Sequence, residues 1–106
     1  MVVKFNANQR YTTDGVSSAI FRSVCRQAGV STQVYANRSD LPGGSTLGSI
    51  SNARVAVCTV DIGLEQLAMH SCVETAGAQD VESLVRAMRR LYSASLRMDE
   101  SGVTLQ

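Results

Sequence analysis

Val55-Ala56-Val57-Cys58-Thr59-Val60-Asp61 is an unbroken apolar and β-prone run that ends on a carboxylate. A strand with one wet face alternates apolar and polar side chains, whereas a strand covered on both faces does not alternate. The run therefore predicts a central parallel strand with helices packed on either side of the sheet, and the elements around it fit that reading. Just upstream, Arg38 to Gly48 carries Pro42, Gly43, Gly44 and Gly48 and reads as a loop, with a short helix able to start at Ser45. Before it, Thr32 to Asn37 alternates around Val34 as another strand.

A helix precedes that strand. Asp14 is a good N-cap, Val16, Ala19, Ile20 and Val24 form one apolar stripe with Phe21, Cys25 and Ala28 beside it, and Gly29 closes the C-terminus. A stripe that broad predicts a helix sandwiched between two layers. The chain opens on the β-prone Val2-Val3-Lys4-Phe5, which runs into the polar stretch Asn6 to Thr13. At the other end Val81, Leu84, Val85, Met88, Leu91 and Tyr92 recur at helical spacing, with Asp80 and Glu82 at the N-terminal end. This predicts an amphipathic helix of about four turns, with Arg86, Arg89 and Arg90 on its solvated side. Periodicity is lost beyond Arg97, so residues 98–106 read as a frayed tail and residues 1–97 as a single unit. The order of strand, helix, strand, loop, strand and helix defines the α/β class: a small sheet with helices packed on it and right-handed crossovers.

At 106 residues with 44% apolar content the chain has the makings of one small domain with a modest core. An apolar face meant for other sequence would stay exposed or pair with another chain. A net charge of +1 argues against a nucleic-acid partner. No apolar run approaches the roughly 20 residues of a spanning helix, and Met1-Val2-Val3-Lys4 lacks signal-peptide order, so no membrane partner is expected and a cytoplasmic location is. Cys25, Cys58 and Cys72 are odd in number and show no Cys-x-x-Cys spacing, which points to free, buried thiols rather than a disulfide framework or a zinc knuckle.

Three places carry groups suited to chemistry. The single histidine, His70, follows the apolar run in the loop region where α/β sheets bind ligands, and neutral imidazole is a common zinc ligand. A lone histidine is more often structural, however, and Asp61, Glu65 and Glu74 do not complete a zinc motif with it. Glu74 can instead cap or orient the loop. The stretch Pro42-Gly43-Gly44-Ser45-Thr46-Leu47-Gly48 is able to offer backbone N–H groups to an anion or carbonyl oxygen, yet it also reads as a tight turn with an N-cap. It lacks the lysine of a P-loop and the glycine spacing of a dinucleotide site. After the first strand, Lys4 is suited to neutralise a substrate carboxylate and Tyr11 to donate to a developing oxyanion, although ordinary turn chemistry accounts for the same composition.

Together, Val3-Lys4-Phe5-Asn6-Ala7-Asn8-Gln9-Arg10-Tyr11, Arg38 to Gly48, and Thr59-Val60-Asp61-Ile62-Gly63 with Gln66-Leu67-Ala68-Met69-His70-Ser71 resemble the aspartyl aminopeptidase family, in its order and near its spacing. The likeness spans residues 2–92 and implies a fragment of a zinc-peptidase α/β domain whose complete site holds two zinc ions. It implies His70 as a metal ligand, Lys4 as the receptor for an acidic N-terminal side chain of a peptide substrate, and Tyr11 as a catalytic group near the scissile carbonyl. Gly43, Gly44, Ser45 and Thr46 become substrate-pocket backbone. The other zinc ligands, the glutamate base and a dimerisation insert lie upstream in that family, so this chain by itself is expected to be inactive, while the complete protein is expected to form a homo-oligomer. Two departures stand out: the family often has cysteine where Gly43 stands, and an isoleucine-arginine pair where Cys72-Val73 stands. The alternatives are a non-enzymatic α/β interaction module and, more weakly, an anion-binding domain built on the glycine loop.

Overall fold

Helix α1 (Gly15–Gln27) begins as its sequence predicts. In the computed structural model, which describes residues 1–106, the Asp14 carboxylate accepts from the Ser17 backbone N–H at 2.7 Å, and the Ser17 hydroxyl accepts from the Asp14 N–H at 3.0 Å. This reciprocal box satisfies backbone donors that every helix start leaves orphaned. At the other end Gly29 takes φ +65°, a left-handed conformation that glycine adopts without a Cβ clash.

The helix connects β1 (Val2–Phe5) to β2 (Gln33–Ala36), and the two strands pair in parallel with Val3 opposite Val34 and Lys4 opposite Tyr35. On the other side β1 pairs antiparallel with β3 (Ile62–Gly63), Val3 facing Ile62. The sheet order is β2-β1-β3. Buried Met1, Val3, Phe21, Cys25 and Val30 make the core with Ala87 of the long helix α3 (Asp80–Ser93), which packs beside α1.

The α/β class holds, but the central strand is β1. Val55 to Val60 is not part of the sheet: Val55 and Val57 are 61% and 60% exposed, and pairing starts only beyond it, where the Lys4 N–H donates to the Asp61 carbonyl at 2.9 Å. Strand β3 runs antiparallel, so the expected parallel strand is overturned on direction as well as position. An uninterrupted apolar pattern specifies burial on two faces, yet only its end is covered, where Val60 packs against the core, and residues 55–58 stay exposed.

Three other expectations change. Helix α1 buries one side in the core, while on the other Val16 is 48% exposed and faces residues 103–105 only across an open recess. Residues 98–106 do not fray: β4 (Leu96–Asp99) and β5 (Gly102–Leu105) form an antiparallel hairpin, with Gly102 at φ +135° where the chain re-enters the ladder. Arg86 is exposed yet bonded, its Nη2 donating to the carbonyls of Ala28 at 2.9 Å and Gly29 at 2.6 Å, the end of α1. A short helix α2 (Leu47–Arg54) does follow the glycine loop, with Thr46 as its N-cap. No helix is long and apolar enough to cross a membrane.

Candidate active site

Beside the sheet, a cavity of about 500 Å³ is lined by Lys4 and Tyr11, by Gly44, Ser45 and Thr46, and by Glu65, Met69 and His70 of the third segment. Three segments well separated in sequence thus converge, because β1 lies between β2 and β3 and carries Lys4 next to the segments that follow both of them. Gly43 does not line this cavity. Its carbonyl accepts from Arg10 Nη1 at 2.9 Å in a neighbouring polar recess, and a Cβ at this position would lie 1.8 Å from Asn37 Nδ2, so a side chain here requires Asn37 to move.

Lys4 is the only lysine of the chain and the only permanently cationic side chain lining the cavity. Its Nζ lies 3.7 Å from Asp61 Oδ1 and 5.6 Å from the centre of the Tyr11 ring, within cation–π range. Gly63 leaves the aliphatic stem its path, since a Cβ there would come within 3.0 Å of Lys4 Cε.

Asp61 is buried beneath this arrangement. Its Oδ2 accepts from the Thr46 hydroxyl, and its backbone N–H donates to Thr13 Oγ1 at 2.7 Å. One aspartate therefore joins β1, the loop before α1 and the glycine-rich loop. In the sequence Asp61 reads only as the end of a strand; a carboxylate closing an apolar run is the one mark of it, because buried carboxylates demand partners.

Tyr11 is buried against the sheet, and burial pushes its phenol above the ordinary tyrosine range, reinforced by Tyr35 and by the Asp61 carboxylate. The phenol is thus an O–H donor at neutral pH.

His70 is exposed at the cavity, with φ +69°. A non-glycine residue in that region costs about 1–2 kcal/mol, so the loop around it must hold it there. It is held from both sides. Gln66 bridges Ala76, the Leu67 N–H donates to the Thr75 carbonyl at 3.1 Å, and Glu74 Oε1 accepts from the N–H groups of Ala68 at 2.8 Å and Thr75 at 2.7 Å. Glu74 orients the loop, in line with one reading of its sequence. No three His, Cys, Asp or Glu side chains stand close enough to hold a metal ion, so these residues do not by themselves complete a zinc site.

A parallel β-α-β unit followed by a glycine-rich loop and a loop imidazole, with a lysine, a neutral phenol and that imidazole around one cavity, defines an α/β segment that carries part of a ligand site. The chain belongs to the aminopeptidase I zinc metalloprotease family, M18, whose model matches residues 1–92. A Mycobacterium leprae protein named "Probable M18 family aminopeptidase 2" is 47% identical over 95 residues, covering 90% of this chain and 22% of its own length. The chain thus spans about a fifth of the curated relatives it matches. Among solved structures, a chain in the cryo-EM structure of the Ape4 and Nbr1 complex superposes with a TM-score of 0.83 at 38% identity, over 86% of this chain and 17% of that one. The crystal structure of prApe1 gives 0.81 at 25% identity, over 86% and 19%.

Proposed function

We propose that residues 1–92 form one wall of the active site of an aminopeptidase that releases acidic N-terminal residues, Asp or Glu, from peptides. The observation that carries this reading is the convergence of Lys4, Tyr11, Gly44, Ser45, Thr46 and His70 on one cavity in which Lys4 is the sole fixed cation. An ammonium with unspent donors selects a carboxylate side chain through a charge-assisted hydrogen bond. The neutral phenol of Tyr11 donates to the oxygen of the scissile carbonyl as charge develops there, and the backbone of Gly44 to Thr46 lines the substrate's path. His70 supplies one imidazole donor to the zinc that names the family, and the remaining donors and the general base come from sequence beyond these 106 residues. Homo-oligomeric assembly and a cytoplasmic location belong to the same reading.

The test has two arms. The purified chain should hold no stoichiometric zinc and release no acidic residues; tight zinc together with turnover refutes its incompleteness. A chimera in which residues 1–92 replace the homologous segment of the Mycobacterium leprae relative should cleave acidic N-terminal residues and lose that activity on His70→Ala. Full activity of the variant removes His70 from the site.

A further inference from the structure

Lys4 reaches the cavity beside a buried carboxylate that no motif reading assigns. Asp61 is 9% exposed and Lys4 23% exposed, and at 3.7 Å their atoms attract without a direct hydrogen bond. The three N–H donors of Lys4 therefore stay unspent toward the cavity while its charge is tethered. The tether is itself anchored, because the second Asp61 oxygen accepts from Thr46 and its backbone is fixed by Thr13 and by the N–H of Lys4. A lysine has four rotatable side-chain bonds and a strongly hydrated head, so without such a counter-charge its ammonium swings to bulk water.

We propose that Asp61 is a positioning residue for Lys4: it holds the ammonium over the cavity, couples it to the glycine-rich loop through Thr46, and thereby sets preference for acidic ligands. The selectivity part rests on the reading of Lys4 as the acid-recognising cation; the positioning part does not. One chemical consequence follows: a ligand carboxylate can take the free donors of Lys4 without displacing Asp61.

Asp61→Asn isolates the effect, because asparagine keeps the shape, the acceptor for Thr46 and every backbone bond while removing the charge. Lys4 is the only lysine, so its Cε–Hε correlation is a single assignable peak in the NMR spectrum of the 106-residue chain. In the wild type that peak should show contacts to Gly63 and to the Tyr11 ring, its neighbours in the structure. In Asp61→Asn both contacts should vanish while far-UV circular dichroism stays unchanged. Contacts that persist overturn the positioning role. If the asparagine variant does not fold, Thr46→Val, which keeps both charges and removes only the anchor, should weaken the same contacts, and unchanged contacts there overturn the proposal equally.

In the chimera, Asp61→Asn should lower the ratio of kcat/KM for acidic over neutral N-terminal residues about tenfold, the worth of one charge-assisted hydrogen bond. A ratio that stays level or rises, or equal losses for both substrates, overturns the selectivity part. Lys4→Met separates the two readings: an unchanged ratio there removes Lys4 as the acid receptor, whereas the NMR contacts still report on Asp61 and Lys4.

Discussion

Replacing Arg86 by alanine tests whether the junction of the two long helices is held as the structure shows. The Arg86 Nη2 donates to Ala28 and Gly29 carbonyls at 2.9 and 2.6 Å, where α1 leaves its last acceptors without intrahelical partners. A hydrogen bond from a charged group contributes about 1.5–3 kcal/mol when sheltered, and a cation at a helix C-terminus about 0.3–1 kcal/mol. Arg86 is exposed, so solvent screening brings the sum down to roughly 1.5 kcal/mol. For a domain of this size that is a drop of roughly 6–12 °C in Tm, read by circular dichroism in thermal and urea unfolding. The adjacent Gly29 is coupled to it: a Cβ there would approach Arg86 Nη2 to 3.2 Å at φ +65°. An Arg86→Ala variant within about 0.3 kcal/mol of wild type, the behaviour of a solvated-face arginine, would refute the tie between α1 and α3.

Two further outcomes follow from the same structure. The Ser17 backbone N–H holds the Asp14 carboxyl below its usual range, so its contribution is present above the unfolded carboxylate value of about 3.9 and is lost as pH falls through the folded one. Asp14→Ala should cost about 1 kcal/mol at pH 7 and flatten the acid limb of the stability curve; an unchanged limb contradicts the cap. Burial pushes the Cys25 thiol up, whereas Cys58 and Cys72 are exposed. Alkylation followed by mass spectrometry should label the latter two in the folded chain and Cys25 only after unfolding; early labelling of Cys25 contradicts the core.

The local signals were legible wherever one residue dictates the backbone around it. Asp14 and Gly29 bracket α1, and the heptad-like spacing from Val81 to Tyr92 places α3, because capping and periodicity act within a few residues. Val55 to Val60 misled for the opposite reason. Its pattern specifies burial supplied from elsewhere, and this chain covers 22% of the relative it matches. The cysteines follow suit: Cys25 is buried as expected, while Cys58 lies exposed in that same uncovered run and Cys72 in the exposed loop after His70. Lys4, Tyr11, Gly44 and His70 were nameable from motifs, yet the part of Asp61 was not, since it exists only once Thr13, Thr46 and Lys4 meet around it. Arg86 reads as a solvated-face residue for a similar reason: its partners are two carbonyls, and carbonyls leave no mark in a sequence.

The central claim is that the Lys4 ammonium recognises the acidic side chain of a peptide's first residue. The most direct measurement compares Lys4→Ala with the unmodified chimera on matched peptides beginning with Asp and with a neutral residue. A loss of tenfold or more in kcat/KM confined to the acidic peptide is predicted; equal losses on both peptides would contradict it.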